Sequence, residues 1–435
     1  PRPNVVVFLA DDLGYGDVKA LNADGKIPTP HMDRLAAAGI AFTDAHSGSA
    51  VCSPTRYGLL TGRYAWRTRL QNGVLGGLSP RLIEPNRVTL AALLKSAGYA
   101  TACVGKWHLG MDWAVLPGKT VSPLSIEPRE QVFNVDYTQP VRNGPNSVGF
   151  DYYFGISASL DMVPYTFIRN DRVAANPTDD RQFLMRVDVP NRFTRQGPTA
   201  PGFKCEDVLP TLTAEAVKWI DERAKAPATP FFLYLPLTTP HTAIAPSAGW
   251  LGKTGLGAYA DFVAETDDAV GRVLAALERH GLDKTTLVIV TSDNGCSPEA
   301  DFPALVARGH NPSYRFRGTK ADIYEGGHRV PFLARWPGVV APGRTTDQLT
   351  SLNDIFRTCA DAAGVPVPPA AGEDSFSFLP VLYNERSSAL RTAIVNHSVN
   401  GSFAIRDGPW KLCLCPGSGG WSAPRPGRDD ASRLP

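Results

Sequence analysis

The sequence predicts an α/β fold, a large mixed and mostly parallel sheet sandwiched by helices with a smaller C-terminal α+β subdomain, and three observations carry that expectation. First, Asn4-Val5-Val6-Val7-Phe8-Leu9-Ala10 is an unbroken apolar run rich in β-branched residues, as expected of a parallel strand buried on both faces. Second, Phe231 to Leu237 and Thr286 to Thr291 repeat that texture, and helical patterns precede each of them, at Thr213 to Ala224 and Gly257 to His280. Third, 435 residues exceed what one compact unit usually holds. The texture changes near residue 345, so residues 1–345 are expected to form the main domain and 346–435 the smaller one.

Bulk composition narrows the function. A hydrophobic content of 43% with 20% charged residues is ordinary for a globular protein. The net charge of +2 gives no broad basic field, which argues against nucleic acid and anionic membrane surfaces as partners. Small anionic substrates stay compatible with it, because local lysine and arginine placement matters more than the sum. No apolar run reaches the length of a membrane span. The chain opens at Pro1 without methionine, so a processed or trimmed N-terminus is expected and any signal peptide would lie outside it.

In chain order, the first strand runs into Asp11-Asp12. Paired carboxylates at the carboxyl end of a buried strand sit where open α/β sheets place ligands, and they can hold a metal; solvated turn residues or a helix cap are the competing reading. Thr29-Pro30-His31 opens a helix that stops at Gly39, with His31 structural. Cys52 follows, in Val51-Cys52-Ser53-Pro54-Thr55-Arg56-Tyr57-Gly58-Leu59-Leu60-Thr61-Gly62. Taken alone it would read as a buried small hydrophobe. Thr89 to Gly98 reads as an amphipathic helix and Tyr99 to Val104 as a short strand, which delivers Gly105-Lys106-Trp107-His108-Leu109-Gly110. Lys106 and His108, one residue apart on extended chain, can face one side as a fixed cation beside a titratable base.

Residues 111–210 are rich in proline, asparagine and arginine with little period, and read as a loop-rich insertion shaping a substrate mouth. Thr238-Thr239-Pro240-His241 puts a histidine just past another strand end, where it could also simply cap a turn. Ser292-Asp293-Asn294-Gly295 closes the next strand; the Asp-Asn pair offers hard oxygens for a metal shell, and Asn-Gly is equally a turn signal. Lys320 follows Arg315 and Arg317, which read as a solvated basic face. The C-terminal part should hold a helix from Asn353 to Ala363 and strands near Thr392 to Val395, Phe403 to Arg406 and Trp410 to Leu414, with Gly417 to Pro435 poorly ordered.

The Cys52 string, with Pro54 and Arg56 at fixed offsets and a Leu-Leu-Thr-Gly ending, resembles the maturation signature of the type I sulfatases, an arylsulfatase-like family on the alkaline-phosphatase-like scaffold. Gly105 to Gly110, Asp11 to Asp17, Tyr324-Glu325-Gly326-Gly327 and Ala404 to Lys411 resemble further motifs of that family. The resemblance implies that a maturation enzyme oxidises Cys52 to formylglycine (3-oxoalanine). One hydroxyl of the hydrated aldehyde then attacks sulfur, and loss of a proton from the other expels sulfate. It implies Asp11, Asp12, Asp293, Asn294 and matured Cys52 around Ca2+ rather than Mg2+. Arg56 would anchor the hydrate, Lys106 and Lys320 would hold sulfate, His108 would work on the diol, and His241 would serve the leaving group. Gly149 to Ile156 resembles the family's strand before a sulfate-contacting serine, so Ser159 would contact sulfate, with Ser157 as the alternative, and Asp161 would meet substrate hydroxyls.

Setting Cys52 aside leaves six cysteines, enough for bridges whose connectivity spacing cannot assign; Cys413 and Cys415 alternate with leucines in a strand-like string, which disfavours a metal role. The expected activity is hydrolysis of sulfate esters, on a sulfated carbohydrate given the polar insertion and the aromatics Trp107, Trp113, Tyr152 and Tyr165. Aryl or lipid sulfates, a metal-dependent phosphoesterase or phosphonate hydrolase, and a sulfated-glycan-binding pseudoenzyme are the alternatives. A periplasmic, secreted or lysosome-like compartment goes with the resemblance.

Overall fold

The computed structural model describes residues 2–385 and 390–425. The fold class is the expected one, a large mixed and mostly parallel sheet with flanking helices and a small antiparallel sheet near the C-terminus. By internal contacts the chain divides into two compact units, one of residues 1–9 and 74–286 and the other of 10–73 and 287–435.

In the first unit, strand Phe231–Pro240 pairs in parallel with Ala100–Lys106, Phe231 opposite Ala100 and Tyr234 opposite Cys103. Ala100–Lys106 pairs in parallel with Tyr152–Ile156, ending with Lys106 opposite Ile156. Every residue of Phe231–Pro240 is buried, which explains why its sequence is continuously apolar rather than alternating. Because these strands run the same way, their carboxyl ends deliver Lys106-Trp107-His108, Ser157-Ala158-Ser159 and His241 to one edge. Helices Val208–Arg223 and Ala258–Arg279 cover the sheet. The first begins five residues before the periodic signal at Thr213, since Pro210 is harmless in a first turn, where no intrahelical donor is needed.

Within residues 111–210 the strand expected in Gly149 to Ile156 is present at Tyr152–Ile156, and further short strands lie among the loops. Tyr152–Ile156 joins the main sheet, and short antiparallel pairs form between Asp179–Arg181 and Gly197–Thr199 and between Leu184–Arg186 and Val189–Phe193. Strands of three to five residues are too short to print a readable period.

In the second unit, Thr286–Ser292 runs antiparallel to Phe332–Arg335, which runs antiparallel to Ile40–Phe42. Helix Cys52–Thr61 is buried along its whole length and stops at Gly62, whose φ of +62° supplies the left-handed cap that a side chain would resist. Helix Asp354–Ala362 and the three-stranded sheet of Ala393–His397, Phe403–Asp407 and Trp410–Cys413 match the expected C-terminal elements to within two residues at each end.

The expectation of disorder from Gly417 is corrected for residues 417–425. Asp322 Oδ1 accepts the N–H groups of Trp421 and Ser422 at 2.9 and 3.0 Å, and Ile323 N–H donates to the Ser418 carbonyl at 2.7 Å, so a buried carboxylate organises the segment. Residues 426–435 of that expectation lie outside the described residues. None of the seven cysteines is paired with another in a disulfide.

Candidate active site

The second unit gathers seven of the candidate residues. Strand Asn4–Asp11 carries its burial through to Asp11, and Asp12 adopts φ +67°, a left-handed conformation uncommon for a residue with a side chain. Asp12 N–H donates to Asp293 Oδ1 at 3.3 Å, and Asp293 N–H to the Ala10 carbonyl at 3.0 Å, so the two acidic turns are stitched together. One ligand oxygen from each of Asp11, Asp12 and Asp293 lies within 4.8 Å of the others, and all three residues are buried.

Buried carboxylates this close repel unless cations share the space. Arg56, one turn beyond Cys52 and on the same helix face, gives Nε and Nη2 to Asp293 Oδ2 at 3.0 and 2.7 Å, and Nη2 lies 3.6 Å from Asp11 Oδ2. Lys320 Nζ lies 2.7 and 2.9 Å from the two oxygens of Asp12. Burial works against the Lys320 charge, but Asp12 first, then Cys52 and Asp11, raise its pKa above the ordinary lysine value. Cys52 itself is buried at the first position of helix Cys52–Thr61, where outward N–H groups favour negative charge.

A divalent metal ion fits this donor set. Asn294 Nδ2 donates to Asp12 Oδ1 at 2.7 Å and to the Gly295 carbonyl at 2.9 Å, while its buried Oδ1 has no hydrogen-bond partner. An amide oxygen left in that position costs free energy unless something electropositive meets it. Three carboxylates and an amide oxygen are hard ligands, suited to an ion of the calcium and magnesium class.

The first unit holds the other candidates. Lys106 ends its strand fully buried. His108 has φ +56°, donates its N–H to the Ser157 carbonyl at 2.9 Å, and places Nε2 2.7 Å from the Leu75 carbonyl. A carbonyl only accepts, so Nε2 carries a proton, and in the neutral ring Nδ1 keeps the lone pair. Of the two serines, Ser159 has a buried Oγ with no hydrogen-bond partner. His241 Nδ1 lies 2.5 Å from the Thr242 carbonyl, which makes Nε2 its other exchangeable position. Asp161 stands beside it, Oδ1 4.0 Å from His241 Nδ1, with Oδ2 accepting from Thr242 Oγ1 at 3.4 Å.

The aromatics weighed as sugar platforms are corrected in part: Trp107 and Tyr165 are packed in the core at 1% exposure, and the Tyr152 hydroxyl bonds Glu215. Trp113 lines a cleft of about 420 Å³, with Asp112, Gln139, Arg142 and Asn143. Arg315 and Arg317 are exposed, as read, over Tyr314 and Tyr324.

Sequence reasoning missed a second polar network in the second unit. His46 Nδ1 meets His328 Nδ1 at 3.0 Å, His46 Nε2 meets Asp44 Oδ1 at 2.8 Å, and Arg406 pairs with Asp44 at 2.6 and 2.8 Å. Lys411 Nζ meets Glu325 at 2.9 Å and His328 Nε2 at 2.6 Å. The one available signal was Asp44-Ala45-His46, whose spacing puts both polar side chains on one face of a strand.

Comparison with known proteins adds to this geometry. A family model described as Sulfatase matches residues 3–365. The chain is 34% identical to an N-acetylgalactosamine-6-O-sulfatase of Bacteroides thetaiotaomicron, over 94% of this chain and 82% of that one. It is 31% identical to a steryl-sulfatase of Rattus norvegicus, over 88% of this chain and 70% of that one. A solved Bacteroides thetaiotaomicron structure, from work on the metabolism of multiple glycosaminoglycans, superimposes with a TM-score of 0.80 at 32% identity, covering 95% of this chain and 88% of that one.

Proposed function

The chain belongs to the sulfatase family, and from that premise we propose that it removes sulfate from a sulfated carbohydrate, using a formylglycine made from Cys52 and a calcium ion. It is a sulfuric ester hydrolase. The observation that carries the reading is the clustering of Cys52, Arg56 and Lys320 with Asp11, Asp12, Asp293 and Asn294, residues from four separate stretches of sequence.

Asp11, Asp12, Asp293 and Asn294 would hold the cation together with matured Cys52. When present, the cation supplies positive charge to a sulfate oxygen, and the matured side chain supplies a hydrated aldehyde whose hydroxyl attacks sulfur. Arg56 fixes that side chain with a guanidinium already oriented by Asp293. Lys106, Lys320 and the Ser159 hydroxyl hold the sulfate oxygens and stabilise charge there as sulfur is attacked. His241, through Nε2 and with Lys320, gives a proton to the departing alcohol, and His108 accepts one at Nδ1 during release of sulfate. Asp161 positions His241 and meets substrate hydroxyls.

The choice of carbohydrate is supported by the relative's name, an N-acetylgalactosamine-6-O-sulfatase, and by the cleft at Trp113, Asp112, Arg142 and Asn143, whose mixture of one aromatic wall and several polar groups suits a sugar ring. The enzyme would be matured by a formylglycine-generating enzyme of its host and work in a periplasmic, secreted or lysosome-like compartment. Assay of 6-sulfated N-acetylgalactosamine, a steryl sulfate and a matched sugar phosphate tests the proposal. Sulfate release from the first at the highest kcat/KM is expected. Preference for the phosphate would replace it with a phosphoesterase, and glycan binding without any turnover by matured protein would make it a pseudoenzyme.

A further inference from the structure

We propose that Glu127 is a positioning residue that sets the tautomer of His108 through the loop Leu75-Gly76-Gly77-Leu78-Ser79. The proposal rests on the reading above, in which His108 accepts a proton at Nδ1. An imidazole can do that only if its proton sits on Nε2, and the group that keeps it there is the Leu75 carbonyl, 2.7 Å from Nε2.

Within the Leu75 to Ser79 sequence the one side-chain hold on that peptide unit is Ser79, whose Oγ accepts the Gly76 N–H at 2.9 Å. Two adjacent glycines bring the largest backbone entropy to be lost on ordering and no side chains to anchor. The rest of the anchoring comes from outside the loop. Glu127, in the segment between the main strands and 1% exposed, accepts the Leu78 N–H on Oε1 at 2.7 Å, and the Gly77 N–H is also directed at its carboxylate. The carboxylate lies so close that a Cβ on Gly76 would stand 2.3 and 2.6 Å from its two oxygens, so a larger residue there would displace the Glu127 side chain.

Secondary ties agree: Gly76 N–H donates to Ser79 Oγ at 2.9 Å, and Trp113 Nε1 donates to the Gly77 carbonyl at 3.1 Å. The loop thus turns amides toward Glu127 and carbonyls toward His108 and Trp113, and a buried acid side chain is spent on holding it. Burial raises the Glu127 carboxyl pKa against the pull of its own backbone N–H, then of the Leu78 and Gly77 N–H groups and of Arg195, which is the cost expected of a carboxylate retained for its acceptor strength. No part of the reaction assigned above needs Glu127 itself.

The test compares wild type with Glu127→Gln, nearly the same size but with one oxygen replaced by an amide that cannot accept. Histidines are labelled with 15N, and the His108 resonances are identified by their loss in His108→Ala. In wild type, above the imidazole's titration, His108 should show one protonated Nε2 and one bare Nδ1. In Glu127→Gln the two tautomers should mix, and kcat on the sulfated sugar should fall about 10–100-fold with KM nearly unchanged.

In a His108→Ala background the same change should cost nothing further. A pure Nε2–H tautomer in Glu127→Gln, or an equal loss with and without His108, overturns the proposal. If Glu127→Gln does not accumulate, Ser79→Ala, which releases the Gly76 N–H of the same loop, must show tautomer mixing, and its absence overturns the proposal as well. The tautomer signal needs neither metal nor matured Cys52. If His108→Ala keeps wild-type kcat, the catalytic role of His108 fails while the spectrum still decides the positioning claim.

Discussion

Asp11, Asp12 and Asp293 are sealed from water with Arg56 and Lys320 as their cations, and removing either partner leaves charge stranded where solvent cannot reach it. Arg56→Met should therefore destabilise the protein by about 3–5 kcal/mol in chelator, measured by urea denaturation, and by less when calcium is present to take over its electrostatic task. Asn294→Leu removes the amide oxygen that lacks a partner and should weaken calcium binding at least about 10-fold by titration calorimetry; unchanged affinity would place the ion elsewhere. The Lys320 pKa is raised, so its charge is complete below the ordinary lysine value and is lost only as pH climbs through the higher folded value. No alkaline decline in kcat near neutrality should then move in Lys320→Arg. Asp11, Asp12, Asp293 and Asn294 were legible because each sits in a short contiguous string at the end of a buried strand, and Arg56 and Lys320 because their strings resemble family motifs. Glu127 was not, since it lies 49 positions from the amide it holds, and neither was the Asp44 network, whose members lie 362 positions apart at Asp44 and Arg406.

At the scale of elements, the helix Cys52–Thr61 carries both Cys52 and Arg56, so its seating fixes their aim. Gly58 lies against Asn353, and a Cβ there would meet Asn353 Oδ1 at 2.3 Å. Gly58→Ala should cost about 1–3 kcal/mol by thermal or urea unfolding and lower kcat, because the helix must shift to admit one methyl group. The small C-terminal sheet is tied by Arg406 to Asp44, whose carboxyl pKa is held far below the usual range; burial opposes this, and hydrogen bonds from His46 and Arg406 overcome it. A depressed folded pKa means stability present above the unfolded value near 4 and lost as pH falls through the folded one. Asp44→Asn should accordingly flatten the loss of stability below about pH 4; an unchanged acid limb would show that the tie contributes nothing. Long buried strands could be read from sequence because burial on both faces writes an apolar run. The short pairs between 111 and 210 and the Asp322-held segment at 417–425 could not, since a few hydrogen bonds, not periodic burial, define them.

At the scale of the whole molecule, α/β class, strand ends as the seat of chemistry and family membership agree, while substrate choice, on the proposal above, falls to the insertion, whose short pairs leave no period in the sequence. A net charge of +2 offers no long-range attraction for polyanions, so specificity should come from contacts such as Arg142 and Asn143 in the cleft at Trp113. Arg142→Ala should raise KM for sulfated oligosaccharides more than for the sulfated monosaccharide, and an equal effect on both would remove the cleft from substrate binding. No helix among the described residues is long and apolar enough to cross a membrane. All of these expectations depend on one chemical event, the conversion of a buried thiol at the start of a helix. Mass spectrometry of the peptide carrying Cys52, from protein made with a formylglycine-generating enzyme, measures it directly. A species lighter than cysteine, reactive toward hydrazine probes and present in proportion to sulfatase activity across preparations, is the predicted result. Full activity in protein whose Cys52 has the mass of an unmodified thiol would contradict the account.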